Sequence, residues 1–190
     1  MNTLAKLSSN YTAHWITKYR FGQLLIQETT GKEREKVIEL ITRRSLRGNF
    51  FLIAAGDWFV DHDDLRYAAF GYTNDFDEIL DQLRLARART CFQLLDLLIE
   101  ADHENRSVLI LDPLYHFYNE DVDLPTRNRI LQDCCQYIKR LSLSNPVTLL
   151  VPKLDTEDHR YFFPAFAKIA DEFIPVEQAT VVGWSQSSLF

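Results

Sequence analysis

The run Ser107-Val108-Leu109-Ile110-Leu111-Asp112 constrains the fold of this chain more than any other stretch. A short, unbroken apolar run reads as a strand buried on both faces, the habit of a parallel sheet covered by helices. Its closing carboxylate then falls at the carboxyl edge of the sheet, where ligands of open α/β folds bind. Three more strands of the same kind are expected: Gly22–Gln27, Phe50–Ala55 and Val147–Val151.

Helical patterns fill the intervals. Val37, Ile38, Leu40 and Ile41 recur at helical spacing between Glu33 and Arg47, and Gly48-Asn49 stops that helix. The chain from Gly56 to Asp64 is a polar, acidic connection, followed by a helix from about Asp63 to Ala69 and a short one over Phe76–Gln82. Leu83–Ala88 reads as a brief strand. Thr90 caps a helix over Cys91–Glu100. Thr126–Leu143 carries Ile130, Leu131, Cys134, Ile138 and Leu141 on one stripe and ends at Asn145-Pro146. A helix over about Phe163–Asp171 and strands near 172–176 and 180–184 complete the pattern. The expectation is one α/β domain over residues 22–190 behind an N-terminal arm of residues 1–21. Its sheet is doubly wound and mostly parallel, flanked by helices, with antiparallel strands at the C-terminal end.

The 190 residues suffice for one sizeable core. No apolar run has the length of a membrane span, and the opening MNTLAKLSSN lacks the apolar core of a signal peptide. A cytoplasmic protein, nuclear in a eukaryote, is expected. Three cysteines without CxxC spacing indicate neither a disulfide frame nor a zinc knuckle. A net charge of −6 argues against a protein that coats nucleic acid unaided, since that mode neutralises phosphates with Lys and Arg.

Asp61-His62-Asp63-Asp64 has the residue types of a metal site, but it lacks the spacing and glycine of a calcium loop, so a helix cap is the simpler reading. The five histidines are scattered, with no HExxH. Gly183-Trp184-Ser185-Gln186-Ser187 is one residue off a nucleophile elbow. No metal site and no hydrolase site is expected.

Two long stretches carry a family resemblance. FGYTNDFDEILDQLRLARARTCFQLLDLL, from Phe70 to Leu98, resembles the segment of the RecA/RadA recombinase core in which FG, DEVLDNIAYARA and a QLQLL helix follow one another. VLILDPLYHFYNEDVDLPTRNRILQDCCQYIKRL resembles that family's Walker B strand, first DNA-binding loop and following helix, and VTLLVPKL falls at its next core strand. The resemblance runs from Gly22 to about Gln178 and implies a RecA-like P-loop ATPase fold.

The catalytic motifs depart from the family pattern. A phosphate loop needs glycines to close backbone N–H groups on phosphate, a Lys for the outer phosphates and a hydroxyl for Mg²⁺. In Ile26-Gln27-Glu28-Thr29-Thr30-Gly31-Lys32-Glu33, Gly31 and Lys32 are kept, but Ile26 replaces the first glycine and Glu33 the hydroxyl residue. A carboxylate about 4 Å from one phosphate charge costs roughly 1 kcal/mol in water and about 4 at an effective dielectric near 20. Glu28 and Glu35 add the same sign. Where the family keeps its general base the chain has Gly56, with Asp57 beside it. Asp112 keeps the magnesium position.

The resemblance implies two DNA loops. In the first, Tyr115–Arg129, stacking faces and the cations Arg127 and Arg129 adjoin Glu120, Asp121 and Asp123. In the second, Lys153–Phe163, the cations Lys153 and Arg160 and the ring of Tyr161 are interleaved with acids. An aromatic group of this kind also fits a core or a protein interface. Arg84, Arg87 and Arg89 form a further basic group, read as solvated or subunit-facing.

The expectation that follows is a non-catalytic RecA/RadA-like assembly or scaffold subunit in recombination or repair. It would hold no cofactor, and its partner would be a recombinase, a paralogue or a second copy. DNA contact would be weak or supplied by the partner. Two alternatives stay open: a divergent ATP- and Mg-dependent protein using Lys32, Asp57 and Asp112, and a structural regulator that binds neither ligand.

Overall fold

Six short strands, the inner four with apolar residues facing both ways, have one economical arrangement, a sheet sandwiched between helices. The computed structural model describes residues 22–29, 33–58, 60–73, 75–118, 121–153 and 157–175, with residues 157–160 as backbone only. Its strands are β1 (Leu24–Thr29), β2 (Phe50–Ala54), β3 (Leu83–Arg87), β4 (Ser107–Leu111), β5 (Val147–Pro152) and β6 (Glu172–Ile174). The helices are α1 (Arg34–Ser45), α2 (His62–Ala69), α3 (Phe76–Gln82), α4 (Cys91–Ala101), α5 (Leu124–Ser144) and α6 (Glu157–Ile169). The strands lie side by side as β3-β2-β4-β5-β1-β6, and every pair is parallel.

Alternation along the strands divides the core in two. Leu24, Ile26, Phe51, Ile53, Val108, Ile110, Leu149 and Val151 face α4, α5 and α6. Phe50, Leu52, Ala54, Leu109, Leu111 and Leu150 pack with Val37 and Ile41 of α1 and Leu65 of α2. The central strands are buried on both faces, as an apolar run without alternation requires.

The two helix layers follow from the order of the strands. From β1 to β2 to β3 the chain moves one way across the sheet, with α1, α2 and α3 on one face. From β3 through β4 and β5 to β6 it moves back, with α4, α5 and α6 on the other. Right-handed crossovers demand this exchange of faces when the direction reverses. Where neighbouring strands send their chains to opposite faces, a crevice opens at the carboxyl edge. Such crevices lie between β2 and β4 and between β1 and β5.

Side-chain caps set several helix starts. Asp61 accepts from the N–H of Asp64 in a capping box, so the acidic run closes a helix end. Thr90 accepts from Gln93 N at 3.1 Å. Asp123 accepts from Thr126 N at 3.0 Å, which lowers the pKa of its carboxyl and starts α5 at Leu124, two residues earlier than the apolar stripe shows.

The C-terminal side differs from expectation. β6 pairs parallel with β1, not antiparallel, because α6 carries the chain back to the edge where β5 began. The expected strand near 180–184 and the N-terminal arm lie outside the described residues. α6 begins at Glu157, ahead of the start expected near Phe163, and takes Pro164 into its interior. Residues 157–163 of the second expected DNA loop are therefore helix. β1 also runs on through Glu28 and Thr29, which read from sequence as a turn.

Candidate functional site

The end of β2 and the end of β4 meet in the first crevice. Ala55 N donates to Leu111 O at 2.9 Å and holds the two exits together. Gly56 then turns the chain with φ +67°, and a Cβ placed on it would lie 2.7 Å from Cγ and Cδ2 of Tyr115. The glycine is required twice over, by its left-handed backbone and by the ring against it. Arg87 at the end of β3 donates Nη2 to Gly56 O at 3.0 Å. Tyr115 donates its hydroxyl to Asp57 Oδ1 at 3.3 Å.

Asp112 occupies the floor. Its backbone is left-handed, with φ +49°, and is pinned by Asp112 N donating to Leu150 O at 2.8 Å and Tyr115 N donating to Asp112 O at 3.1 Å. The residue is 8% exposed, and its Oδ1 has no hydrogen-bond partner. Burial, and then the charge of Asp57, push its carboxyl up to about 7. The same Asp57 raises the pKa of the Tyr115 phenol. Sequence reasoning groups Asp57 and Asp112 with Lys32 in one alternative nucleotide site, and in the structure the two aspartates share one crevice. It misses Tyr115 as their bridge and Arg87 as the clamp, because no short-range pattern connects positions 57 and 115.

In the second crevice, Thr29 is buried and donates Oγ1 to Val151 O at 3.3 Å. Its carbonyl accepts from Lys153 N at 2.7 Å. Gly31 and Lys32 lie outside the described residues. Beyond them, Glu33 occupies the N-cap of α1 without a side-chain cap bond, and Glu35 lies in the first turn. The cation between them, Arg34, is turned to Asp64 of α2 in an ion pair.

Two of the described positions differ from what the resemblance would require for a magnesium–nucleotide complex. The hydroxyl position is a carboxylate, and burial together with the charge of Asp57 raises the Asp112 carboxyl to about 7, so that it is about half protonated at neutral pH.

The candidate DNA residues separate into two kinds. Arg127 turns inward: Nη1 donates to Phe117 O at 2.9 Å, and the guanidinium lies 5.8 Å from the centre of the Phe162 ring. It is a brace between the turn Tyr115–Phe117 and α6. Phe117 and Phe162 are core residues with centroids 6.0 Å apart, and His116 Nε2 lies 2.9 Å from Ala88 O. Tyr161 stays at the surface, its hydroxyl accepting from Asn128 Nδ2 at 3.4 Å. Arg129 and Lys153 are exposed. Arg160 falls in the first turns of α6, and its side chain lies outside the described residues.

Of the basic group on β3, Arg84 pairs with Glu100 and Glu104 and stacks 4.6 Å over the ring of Phe51, so it is fixed to this chain's own α4 side.

The chain matches no protein-family model and no curated protein. No described helix is long and apolar enough to cross a membrane.

Proposed function

We propose that this chain is a non-catalytic RecA/RadA-like subunit that serves assembly rather than ATP hydrolysis, in DNA recombination or repair. The observation that carries the reading is the start of α1. An anion-binding helix end offers free N–H groups and positive charge. Here the residue after Gly31-Lys32 is Glu33 at the N-cap, Glu35 follows, and Arg34 is committed to Asp64. Carboxylates stabilise such a helix end when nothing is bound there, and repel a triphosphate.

The architecture is compatible with that reading: each segment of the resemblance contributes one strand, β3, β4 or β5, to a single parallel sheet whose carboxyl ends share one edge. A partner recombinase, a paralogue or a second copy would then supply what this chain lacks, DNA contact included. Arg129, Lys153 and Tyr161, together with Arg160, are the residues left for a shared DNA surface.

Calorimetric titration with ATP, with and without Mg²⁺, tests the reading. The expected result is no binding at micromolar ATP. Micromolar binding that disappears in Lys32→Ala would sink it and favour a divergent ATP-binding protein. One observation favours that second reading: Asp112 and Asp57 do converge, and Asp112 Oδ1 is unpartnered. Single-stranded DNA binding at low salt, weakened by Lys153→Ala or Arg160→Ala, separates a DNA-associated subunit from a regulator that has lost both ligands.

A further inference from the structure

The helix pair α2–α3 carries a surface that neither crevice uses. α2 buries Leu65 and Ala69 against the core and leaves Tyr67 76% and Phe70 70% exposed. Their rings meet edge to face with centroids 6.4 Å apart. Asp63, Tyr67 and Phe70 follow at helical spacing, so a carboxylate and two rings share one stripe. Large aromatic side chains exposed together mark an interaction surface more often than scattered apolar residues do.

The segment that carries this stripe has a lopsided charge. Residues 61–82 hold seven of the chain's 27 carboxylates and one of its 21 Lys and Arg, a net of −6. The rest of the chain balances at twenty of each, so this segment accounts for the entire net charge of −6. Three of the seven have structural duties: Asp61 and Asp75 cap α2 and α3, and Asp64 pairs with Arg34. Asp63, Asp77, Glu78 and Asp81 are exposed. The one cation within the segment, Arg66, lies 5.3 Å from the centre of the Phe76 ring and ties α2 to α3, while Arg34 and Arg43 of α1 reach the segment at Asp64 and Tyr72.

We infer that this face of α2–α3 docks a basic segment of a partner protein, one that lays Lys or Arg side chains across Tyr67 and Phe70. Aromatic faces attract cations, and the apolar stems of Arg and Lys cover ring surface while their heads meet the surrounding carboxylates. Arg suits the rings better than Lys because its planar head stacks. The same charge repels nucleic acid and anionic membrane, so neither is the occupant. The inference rests on residues other than those of the nucleotide and DNA positions, and it holds whether or not the assembly reading does.

Fluorescence anisotropy with a labelled peptide of Arg-Leu-Gly repeats, at roughly physiological ionic strength, tests it. The Tyr67→Ser/Phe70→Ser double variant alters only exposed side chains, and circular dichroism checks that it stays folded. Binding of the peptide, weakened about tenfold in that variant, is the expected result. Asp63→Asn, Asp77→Asn, Glu78→Gln and Asp81→Asn together weaken it at least as much and flatten its salt dependence. Glu35→Gln with Asp96→Asn, which removes two exposed carboxylates elsewhere, leaves it nearly unchanged. No binding, or equal binding by the serine variant, overturns the inference, as does equal sensitivity to the Glu35/Asp96 pair. Sedimentation that finds a dimer of this chain, broken by the serine variant, overturns it in favour of a second copy as occupant.

Discussion

Tyr115 donates its hydroxyl to Asp57 at 3.3 Å while the base of its ring presses on the neighbouring Gly56. One side chain from the turn after β4 thus fixes the exit from β2. The crevice between them is closed by a ring, and Asp112 lies beneath with its carboxyl largely out of water.

Replacing Gly56 by alanine is expected to destabilise the protein by about 2–5 kcal/mol. Left-handed backbone costs a Cβ-bearing residue roughly 1–2 kcal/mol, and forcing a methyl against a packed ring adds about 1–3. The clashing atoms are Cβ, Cγ and Cδ2 of Tyr115, the stiff root of the side chain rather than its tip. Urea unfolding of Gly56→Ala in the presence and absence of Tyr115→Ala divides the two causes. The glycine substitution costs less once the ring has been removed, and identical costs in both backgrounds would refute the contact.

Asp112→Asn is expected to change how stability depends on pH. The folded carboxyl is raised to about 7 from an ordinary 3.8. A raised pKa means that the folded state holds its proton longer than the unfolded chain. The favourable contribution is therefore full below about pH 4 and is lost as pH rises towards 7 and above. At roughly 1.4 kcal/mol per pH unit, the loss is capped at about 4 kcal/mol. Asparagine tolerates the left-handed backbone and carries no charge. The variant and the parent should be of similar stability near pH 4, with the variant ahead at pH 8. Parallel stability curves across that range would show that Asp112 is not desolvated.

Arg127 and Arg129, two residues apart and identical in type, are expected to behave oppositely. Arg127→Ala removes a charged hydrogen bond to Phe117 O and a ring contact with Phe162, for a loss of about 2–3 kcal/mol. Arg129→Ala removes an exposed side chain and should shift stability by less than about 0.5 kcal/mol. Thermal unfolding of the two variants decides the matter. A similar Tm for both would return Arg127 to the surface role that its sequence position implies.

The difference between these arginines shows where the sequence is legible. Strands β2, β4 and β5 announce themselves because burial on both faces leaves runs such as VLIL and TLLV that no helix or loop needs. Helix starts are readable where a cap lies within a few residues, as at Thr90. The direction of β6 is not, because it depends on which way the crossover α6 returns. Nor is the crevice, since Tyr115 meets Asp57 across the sheet and Arg127 reaches Phe162 from another helix. Pro164 hides the first turns of α6 because a helix interior is an uncommon place for proline.

Cys91, Cys134 and Cys135 are buried between the sheet and helices α4 and α5, and they should react with a thiol reagent only when that layer opens. Burial raises the pKa of all three thiols, that of Cys135 to about 12, so almost no thiolate exists at neutral pH. Cys91 differs in having influences that pull the other way, namely backbone N–H groups at the start of α4 and the charge of Arg127. Ellman's reagent at pH 8 should therefore find the native protein nearly silent, and all three thiols reactive in denaturant. Mass spectrometry at intermediate denaturant should find Cys91 modified before Cys134 and Cys135. Rapid native-state reaction at Cys134 would mean that α5 is not seated on α4, and the packing described for that face of the sheet would have to be given up.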